Sequence, residues 1–362
     1  MKAVMFAGGV GSRLWPLSRK KKPKQFMHIV DDATMLQIVV RKLKPDIDNK
    51  DIFIITGRDY GDQAKEQLSD INSENFILEP VMRDVGPAVG LIAAVFSKLY
   101  PTEALAILWG SDHLVKKEEK FRKILKTAEA IIKKEPNKIV FVGQKPRFAS
   151  ENLGWIHFGN QIEELDGIKV YGFKGFKYRP NNRTAQKYFT DGHYAWNLGY
   201  FVTTPTFLWN SFKRFEPELF NKLAIIQEAV GTPDFNRVLD EIYPTIETIH
   251  FDNAILEKLQ PDNAYIISED IGWSDIGAWE ALKEALEESK KANVTNGRVL
   301  LQDCTDSLAY NYDNEKLVVG IDLDDFLIVN TEDVLLVTKK ASVPKIKTFV
   351  KSLDDNGLSD LA

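Results

Sequence analysis

The sequence has 362 residues, 44% of them hydrophobic, which is enough for a sizeable core and for two domains. A formal net charge of -5, with no long basic run outside residues 19–24, argues against a nucleic-acid partner. The one cysteine, Cys304, excludes an intramolecular disulfide, and no segment is apolar for long enough to span a bilayer, so we expect a cytoplasmic protein.

The first pattern is an apolar run over residues 2–7, which predicts a buried strand that ends at a pair of glycines. In the loop that follows, three glycines allow backbone N–H groups to face an anion: Gly8, Gly9 and Gly11. Arg13 and Lys24 add positive charge, so we interpret the loop as a cradle for a nucleoside triphosphate. A glycine turn with two surface cations explains the glycine spacing about equally well.

Two common phosphate loops are excluded here. A P-loop requires a lysine directly after its last glycine, and no lysine follows a glycine at that spacing. The dinucleotide-binding fingerprint requires a third glycine where this chain has Leu14. The cradle is therefore of another type.

Strand and helix patterns alternate as far as residue 143. Thr34 can cap a helix whose apolar side chains share one face: Leu36, Val39, Val40 and Leu43. Further helices are predicted at 88–99 and 118–134, and buried strands at 52–56, 76–78, 104–109 and 138–142. This alternation predicts a Rossmann-like α/β domain with a mostly parallel sheet and with ligands at the carboxyl ends of its strands.

After residue 143 the pattern changes. Residues 155–158 and 168–173 are typical of strands in an antiparallel insertion, and residues 194–202 return to the sheet. Helices are predicted at 207–215, 219–229 and 235–242, and a last helix has Trp279 and Leu282 on its apolar side.

From Val294 onward the pattern is all-β. Five short strands recur about every eight to ten residues, at 299–301, 307–310, 317–321, 326–329 and 334–337. This spacing fits a small sheet and a β-helix equally well. We therefore predict an α/β domain over residues 1–292 and a small all-β domain over residues 293–362.

The string GGVGSRLWPLSR, followed by PKQF, resembles the signature of sugar-1-phosphate nucleotidyltransferases. Its core at residues 14–19 is most similar to the mannose-1-phosphate guanylyltransferase branch, and residues 320–337 resemble the β-helix tail domain of the same enzymes. The resemblance implies that the glycine loop, including Ser12, binds a nucleotide, and that residues 293–362 form a β-helix-like domain.

Two aspartates are candidate metal ligands. Asp112 follows the strand predicted at 104–109, and Asp275 lies in a Trp-Ser-Asp-Ile-Gly segment. On the residues alone, each could simply cap a helix or turn. Their resemblance to the family's SDH and W-x-D-x-G elements implies that both bind one divalent cation, and a site of oxygen ligands favours Mg²⁺ or Mn²⁺ over zinc.

The segment from Glu79 to Ala88 resembles the family element EPxxRNTAPA, which flanks the base in relatives. The resemblance implies that Asp84 and Pro87 bind the nucleotide. A carboxylate at Asp84 can accept hydrogen bonds from N1–H and N2–H₂ of guanine, a donor pair that adenine lacks. An aspartate that merely precedes a helix is an equally good interpretation.

The sugar phosphate has three candidate contacts. Gly154 and Asn197 lie in segments that resemble the family's GYI and Y-x-W-N-S-G elements, and an asparagine within an aromatic strand needs a polar partner. The family's Phe-x-Glu-Lys-Pro is Phe-Lys-Tyr-Arg-Pro here. Tyr178 therefore stands at the position of a sugar-binding glutamate, and Arg179 at that of a phosphate-binding lysine. This departure leaves the exact sugar open.

The resemblance as a whole implies a GTP- and Mg²⁺-dependent enzyme that transfers GMP to mannose 1-phosphate and releases pyrophosphate. Lys24 would neutralise charge at the α-phosphorus and Arg13 would hold the β- and γ-phosphates. We also expect a homodimer. The alternatives are a nucleotidyltransferase for another hexose or heptose 1-phosphate, and a non-catalytic regulator that binds a sugar nucleotide.

Overall fold

The computed structural model describes residues 1–9, 11–44 and 46–362; Val10, within the predicted cradle, and Pro45 lie outside the described residues. The chain forms two compact units, each made from several stretches of sequence. Unit 1 comprises Met1–Gly8, Val40–Gly110 and Val115–Gly272, and unit 2 comprises Gly9–Val39, Ser111–Leu114 and Trp273–Ala362. These units do not follow a single division of the chain at residue 293, and the domain boundary predicted there stays a prediction.

Among the described residues, eleven strands precede the C-terminal region. They are β1 (Lys2–Phe6), β2 (Ile52–Gly57), β3 (Phe76–Glu79), β4 (Leu105–Leu108), β5 (His113–Val115), β6 (Ile139–Gln144), β7 (Gly154–Leu165), β8 (Ile168–Lys177), β9 (Tyr194–Thr203), β10 (Ala264–Glu269) and β11 (Trp273–Asp275). Nine of them form the sheet of unit 1, in the order β3-β2-β1-β4-β9-β6-β10-β8-β7. Only β8 and β9 oppose the common strand direction, which confirms the mostly parallel α/β sheet.

The helices in the same part of the chain are α1 (Met35–Arg41), α2 (Gly61–Gln67), α3 (Val85–Leu99), α4 (Glu118–Lys134), α5 (Asn182–Asp191), α6 (Pro205–Phe215), α7 (Pro217–Ala229), α8 (Phe235–Ile242), α9 (Phe251–Ala254) and α10 (Trp279–Leu286). Thr34 caps α1 as predicted, since its hydroxyl accepts the Gln37 N–H at 3.3 Å while Gln37 accepts the Thr34 N–H at 2.9 Å. The fully buried side chains of α3, such as Ile92 and Phe96, belong to the main core of unit 1.

Four of the described elements of unit 1 were not predicted: α2, α5, α9 and β10. Helix α5 buries only Ala185, so it has no apolar periodicity to detect. Strand β10 is a short apolar segment that pairs in parallel with β6, and short apolar runs do not distinguish strand from helix. The antiparallel insertion is confirmed as a hairpin of β7 and β8, which turns at Asp166 and Gly167 with φ angles of 51° and 77°.

The C-terminal strands of unit 2 are β12 (Val294–Asn296), β13 (Val299–Gln302), β14 (Leu308–Asn311), β15 (Val318–Ile321), β16 (Phe326–Asn330) and β17 (Leu335–Lys339). Alternate strands stack in parallel, β12 on β14 on β16 and β13 on β15, and only β16 and β17 are antiparallel. This is the coil of a β-helix rather than a hairpin sheet. A helix that the sequence pattern did not reveal, α11 (Ile346–Asp355), follows the strands.

In the described parts of the chain, every helix is too short or too polar to cross a bilayer.

Candidate functional site

The glycine loop packs against Lys24 within unit 2. The φ angles of Gly9 and Gly11 are 90° and 74°, which side chains rarely tolerate. A Cβ atom on Gly11 would lie 2.5 Å from Cδ of Lys24, so the stem of this lysine lies directly on the loop backbone. Ser12 begins a 3₁₀ turn, Ser12–Leu14. Gly8 ends the first stretch of unit 1, where a Cβ atom on it would be 3.9 Å from Met82 Cε.

Lys24 forms an ion pair with Asp112 through its Nζ atom. Both side chains are largely buried, and Asp112 is only 8% exposed. Burial acts to raise the pKa of Asp112, but the positive charge of Lys24 outweighs burial and holds that pKa below its ordinary value. Asp112 is therefore an anionic carboxylate beside the glycine loop.

Asp275 lies at the same end of a short ladder as Asp112. Beyond strands β5 and β11, Lys116 N–H donates to Gly272 O at 3.2 Å and Lys117 N–H donates to Ile271 O at 3.0 Å, so the two strands are antiparallel. Asp112 directly precedes β5 and Asp275 ends β11. An antiparallel pair places these two positions together.

Arg13 is adjacent to Asp275 at Gly277. A Cβ atom on Gly277 would lie 2.9 Å from Asp275 Oδ1 and 3.0 Å from Arg13 Nη2. Unit 2 thus gathers four of the predicted site residues into two opposite-charge groups: Lys24 with Asp112, and Arg13 with Asp275. A glycine loop flanked by two cations and two carboxylates can bind a polyphosphate together with a divalent cation.

Distant residues of unit 2 anchor the signature segment after the glycine loop. Trp279 Nε1 donates to Trp15 O at 2.9 Å, and Trp15 Nε1 donates to Leu361 O at 2.7 Å. The Trp15 ring also meets the edge of Phe349, with centroids 5.3 Å apart. These contacts could not be predicted from the sequence, because the partners of Trp15 lie hundreds of residues away along the chain.

The predicted sugar-site residues Gly154 and Asn197 are neighbours in unit 1, where they pair across strands β7 and β9. A Cβ atom on Gly154 would lie 2.8 Å from Phe176 Cζ and 3.2 Å from Asn197 Cβ, so only glycine fits there. Asn197 is already hydrogen-bonded within the protein: Oδ1 accepts the Gly199 N–H at 3.0 Å, and Nδ2 donates to Asp252 Oδ1 at 3.1 Å.

Tyr178 contacts a histidine that sequence analysis missed. Its hydroxyl is 3.0 Å from His250 Nε2, and the two rings stack with centroids 4.5 Å apart. His250 Nδ1 is in turn 2.7 Å from Oδ2 of Asp252, which is 1% exposed. The available signal was weak: His250 and Asp252 alternate with the apolar residues Ile249 and Phe251 at the start of residues 249–255.

The Arg179 side chain packs over the ring of Tyr178. Its guanidinium carbon lies 5.0 Å from the centre of the Tyr178 ring, and its Nε donates to Asn152 O at 3.2 Å. Burial raises the pKa of the Tyr178 hydroxyl, which therefore stays protonated at neutral pH. Arg179 itself is exposed, so its cation is available to an anionic ligand.

Asp84 caps helix α3, which agrees with the interpretation of Asp84 as an aspartate that precedes a helix. Its carboxylate accepts the Val85 N–H at 2.7 Å, and its φ of 71° is strained for a residue other than glycine. Gly86 N–H donates to Ile249 O at 3.0 Å, and a Cβ atom on Gly86 would be 2.4 Å from that oxygen. The Asp84 turn therefore lies beside the segment that carries His250. Pro87 is buried in the first turn of α3.

Comparison with known proteins shows similarity over nearly the whole chain. A family model for nucleotidyl transferases matches residues 2–292. Mannose-1-phosphate guanylyltransferase 2 of Escherichia coli O157:H7 is 34% identical over 358 residues, which are 97% of this chain and 73% of that protein. A mannose-1-phosphate guanylyltransferase of Escherichia coli is 31% identical, over 98% of this chain and 76% of that protein.

The overall structure is also similar to a solved one. A crystal structure described as a mannose-1-phosphate geranyltransferase from Thermus thermophilus superposes with a TM-score of 0.86 at 26% identity. The match covers 98% of this chain and 99% of that chain, so it includes the C-terminal strands as well as the large sheet.

Proposed function

Because the chain belongs to the nucleotidyl transferase family, we propose that it is an enzyme that transfers GMP from GTP to mannose 1-phosphate, giving GDP-mannose and pyrophosphate. The observation that carries the proposal is in unit 2, where Lys24 packs on Gly11 and pairs with Asp112, and where Arg13 and Asp275 approach each other at Gly277. All four charged groups that the reaction needs at the triphosphate are present.

The reaction is a direct displacement at phosphorus. A phosphate oxygen of mannose 1-phosphate forms a bond to the α-phosphorus of GTP, and the bond from that phosphorus to the bridging oxygen breaks, with its electron pair leaving on pyrophosphate. No protein nucleophile is required. Lys24 neutralises charge that develops at the α-phosphate, while Arg13 and the N–H groups of the glycine loop hold the β- and γ-phosphates.

Enzymes of this family generally use a divalent metal ion, and we assign Mg²⁺, with Mn²⁺ as a substitute. The residues fit a hard cation, because Asp112 and Asp275 offer only oxygen. Over the described residues, no group of three His, Cys, Asp or Glu side chains forms a ready metal cage, so phosphate and water oxygens must complete the shell. When bound, the ion supplies positive charge to the triphosphate.

The remaining predicted site residues lie in unit 1, and we assign a role to each of them. Gly154 and Asn197 line the sugar position, and the exposed guanidinium of Arg179 binds the sugar phosphate. Asp84 and Pro87 contact the guanine. The position of Asp84 supports this role, because its carboxylate is exposed and only one of its oxygens accepts the Val85 N–H. We also propose a homodimer, which sedimentation analysis would test.

Pyrophosphate release across a panel of nucleotides and sugar 1-phosphates tests the proposal. GTP with mannose 1-phosphate should be the best pair, with slower turnover of glucose 1-phosphate, because differences at one sugar hydroxyl give modest discrimination. A heptose or deoxyhexose phosphate that is several-fold better than mannose 1-phosphate would change the substrate but not the reaction class. Absence of pyrophosphate release with every pair would instead support a non-catalytic regulator.

A further inference from the structure

We propose that Tyr178, oriented by His250 and Asp252, accepts a hydrogen bond from a hydroxyl of the sugar substrate and so replaces the carboxylate that the family carries at this position. The inference rests on the proposed function, since it concerns how the same enzyme selects its sugar. It adds Tyr178 as a substrate-contacting residue and His250 and Asp252 as positioning residues.

The backbone amide of Gly199 determines which atom donates and which accepts in the hydrogen bonds that Asn197 makes. Gly199 N–H can only donate, so the Asn197 atom 3.0 Å away is the carbonyl oxygen Oδ1. The other side of the Asn197 amide is then Nδ2, which donates to Asp252 Oδ1 at 3.1 Å. Asp252 is 1% exposed and has Oδ2 left to meet His250.

The contact between Asp252 and His250 assigns the imidazole tautomer. Oδ2 lies 2.7 Å from Nδ1, and although the two atoms are not aligned as a straight hydrogen bond, the negative carboxylate oxygen attracts the partial positive charge of an N–H group at Nδ1. A carboxylate oxygen at that distance favours a proton on Nδ1. In the neutral imidazole Nε2 is then bare, and it accepts the O–H of Tyr178 across 3.0 Å.

With the donors and acceptors assigned in this way, the hydroxyl oxygen of Tyr178 can accept a further hydrogen bond. The hydroxyl proton of Tyr178 points to His250, so a lone pair on Oη is free for a donor from solvent or substrate. The ring itself is held by the stacked imidazole and by the Arg179 guanidinium, 5.0 Å from the ring centre. A rigid acceptor beside a cation suits a ligand that combines a hydroxyl group with a phosphate.

The location of the group agrees with this role. Asp252 Oδ1 would lie 3.4 Å from a Cβ atom on Gly154, which places the carboxylate at the predicted sugar position. The Asn197 side-chain amide is already hydrogen-bonded to Gly199 and Asp252. Asn197 is therefore less available than Tyr178 to accept a hydrogen bond from the sugar in place of the family's carboxylate. The polar chain thus ends at Tyr178, where the family has its sugar-binding carboxylate.

Tyr178→Phe is the first test, because it removes only the hydroxyl. With the wild-type enzyme turning over GTP and mannose 1-phosphate, the variant should show a KM for mannose 1-phosphate raised about tenfold, and an unchanged KM for GTP. Tyr265→Phe is the matched control, since it removes a hydroxyl that meets Glu135 elsewhere in unit 1. An unchanged KM for mannose 1-phosphate in Tyr178→Phe would overturn the proposal.

Two further variants distinguish recognition from packing. Tyr178→Glu restores a carboxylate, and its KM for mannose 1-phosphate should return to within about threefold of wild type. His250→Ala should raise that KM, but should have no further effect when combined with Tyr178→Phe, because His250 acts through the tyrosine oxygen. Fully additive effects of the two substitutions would contradict a positioning role for His250.

Mannose 1-phosphates that each lack one hydroxyl complete the test. Wild type should discriminate about tenfold against a single member of the set, and Tyr178→Phe should lose that discrimination. Equal discrimination by both proteins would overturn the inference while the enzyme still makes GDP-mannose. If wild type instead prefers another sugar 1-phosphate, the proposed function fails on its own, and the same comparison with deoxy forms of that sugar decides the role of Tyr178.

Discussion

Lys24 makes two contacts that together fix its position. Its stem covers the backbone of Gly11, and its Nζ pairs with the buried carboxylate of Asp112. A cation held in this way loses little conformational freedom when a phosphate binds, and it acts in a partly desolvated place where charge is more effective than in water. We therefore expect the proposed mechanism to depend on this side chain more than on any other cation of the loop.

Lys24→Gln should lower kcat by about 10²- to 10³-fold while the protein stays folded. Glutamine keeps the stem and a donor for Asp112 but removes the charge that the proposed mechanism uses in the transition state. Pyrophosphate release and a urea unfolding curve would be measured together. Lys22→Ala, an exposed lysine of the same segment, is the control and should retain activity. Wild-type turnover by a folded Lys24→Gln protein would remove Lys24 from the mechanism.

Gly11→Ala should reduce activity sharply, because its Cβ atom would displace Lys24 in addition to straining a backbone with a φ of 74°. Gly167→Ala separates the two effects. Gly167 has a φ of 77° but nothing within 4 Å of its Cβ position, so it suffers only the backbone strain. Steady-state kinetics of both variants would be compared, and equal activities would show that Lys24 does not depend on the close approach at Gly11.

Among the elements, the β-helix coil of unit 2 has an internal repeat. Strand register pairs Val299 with Val318 and Leu308 with Leu327, which is a spacing of 19 residues. Two asparagines at the same spacing stack inside the coil, where Asn330 Nδ2 donates to Asn311 Oδ1 at 2.8 Å. A ladder of buried asparagines satisfies turn carbonyls that strands cannot reach.

Asn311→Ala should lower the free energy of unfolding by about 3 kcal/mol, because it leaves several partly buried backbone groups without hydrogen-bond partners. The Asn311 amide donates to Arg298 O at 3.0 Å and to Lys316 O at 2.7 Å, and its oxygen accepts the Asp313 N–H at 3.1 Å. Denaturant unfolding would measure the change. Asn296→Ala, at an exposed position of β12, is the control; an effect of Asn311→Ala no larger than that of the control would show that the ladder contributes little.

For the whole molecule, stability should depend on one buried acid of unit 1. Glu79 ends strand β3 and accepts a hydrogen bond from the buried Tyr243 hydroxyl at 2.6 Å. Burial raises the pKa of Glu79 to about 7, from an ordinary value of 4.5. Because the folded pKa is above the unfolded one, the associated stability is fully present below pH 4.5 and is lost as the pH rises through 7.

Glu79→Gln should remove this pH dependence, since glutamine is neutral and still accepts the Tyr243 hydroxyl. Relative to wild type, the variant should gain about 3 kcal/mol of unfolding free energy between pH 5 and pH 8.5. Urea unfolding at both pH values would measure the gain. Glu135→Gln, which loses the carboxylate partner of the half-buried Tyr265, is the control. The same difference from wild type at both pH values would show that Glu79 does not titrate in this range.

Much of the fold followed from local patterns in the sequence. Apolar periodicity predicted α4 and most strands of the sheet, and the glycines predicted the positive φ angles of Gly9 and Gly11, because side-chain period and glycine conformation are properties of short segments. Polar helix α5 and strand β10 escaped prediction because their sequences carry no clear period. The 19-residue repeat of the coil also went unnoticed, since its strands vary in composition.

The sequence by itself thus determined the class of fold, the family and most of the candidate charged residues, because the signature loop concentrates that information in one stretch. Only the tertiary structure decided which residues meet. The Lys24–Asp112 ion pair, the anchoring of Trp15 by Leu361, and the contact of Tyr178 with His250 each join residues at least 72 positions apart. Chain packing sets such contacts, and the tautomer of His250 in turn depends on the buried charge of Asp252, which no local pattern reports.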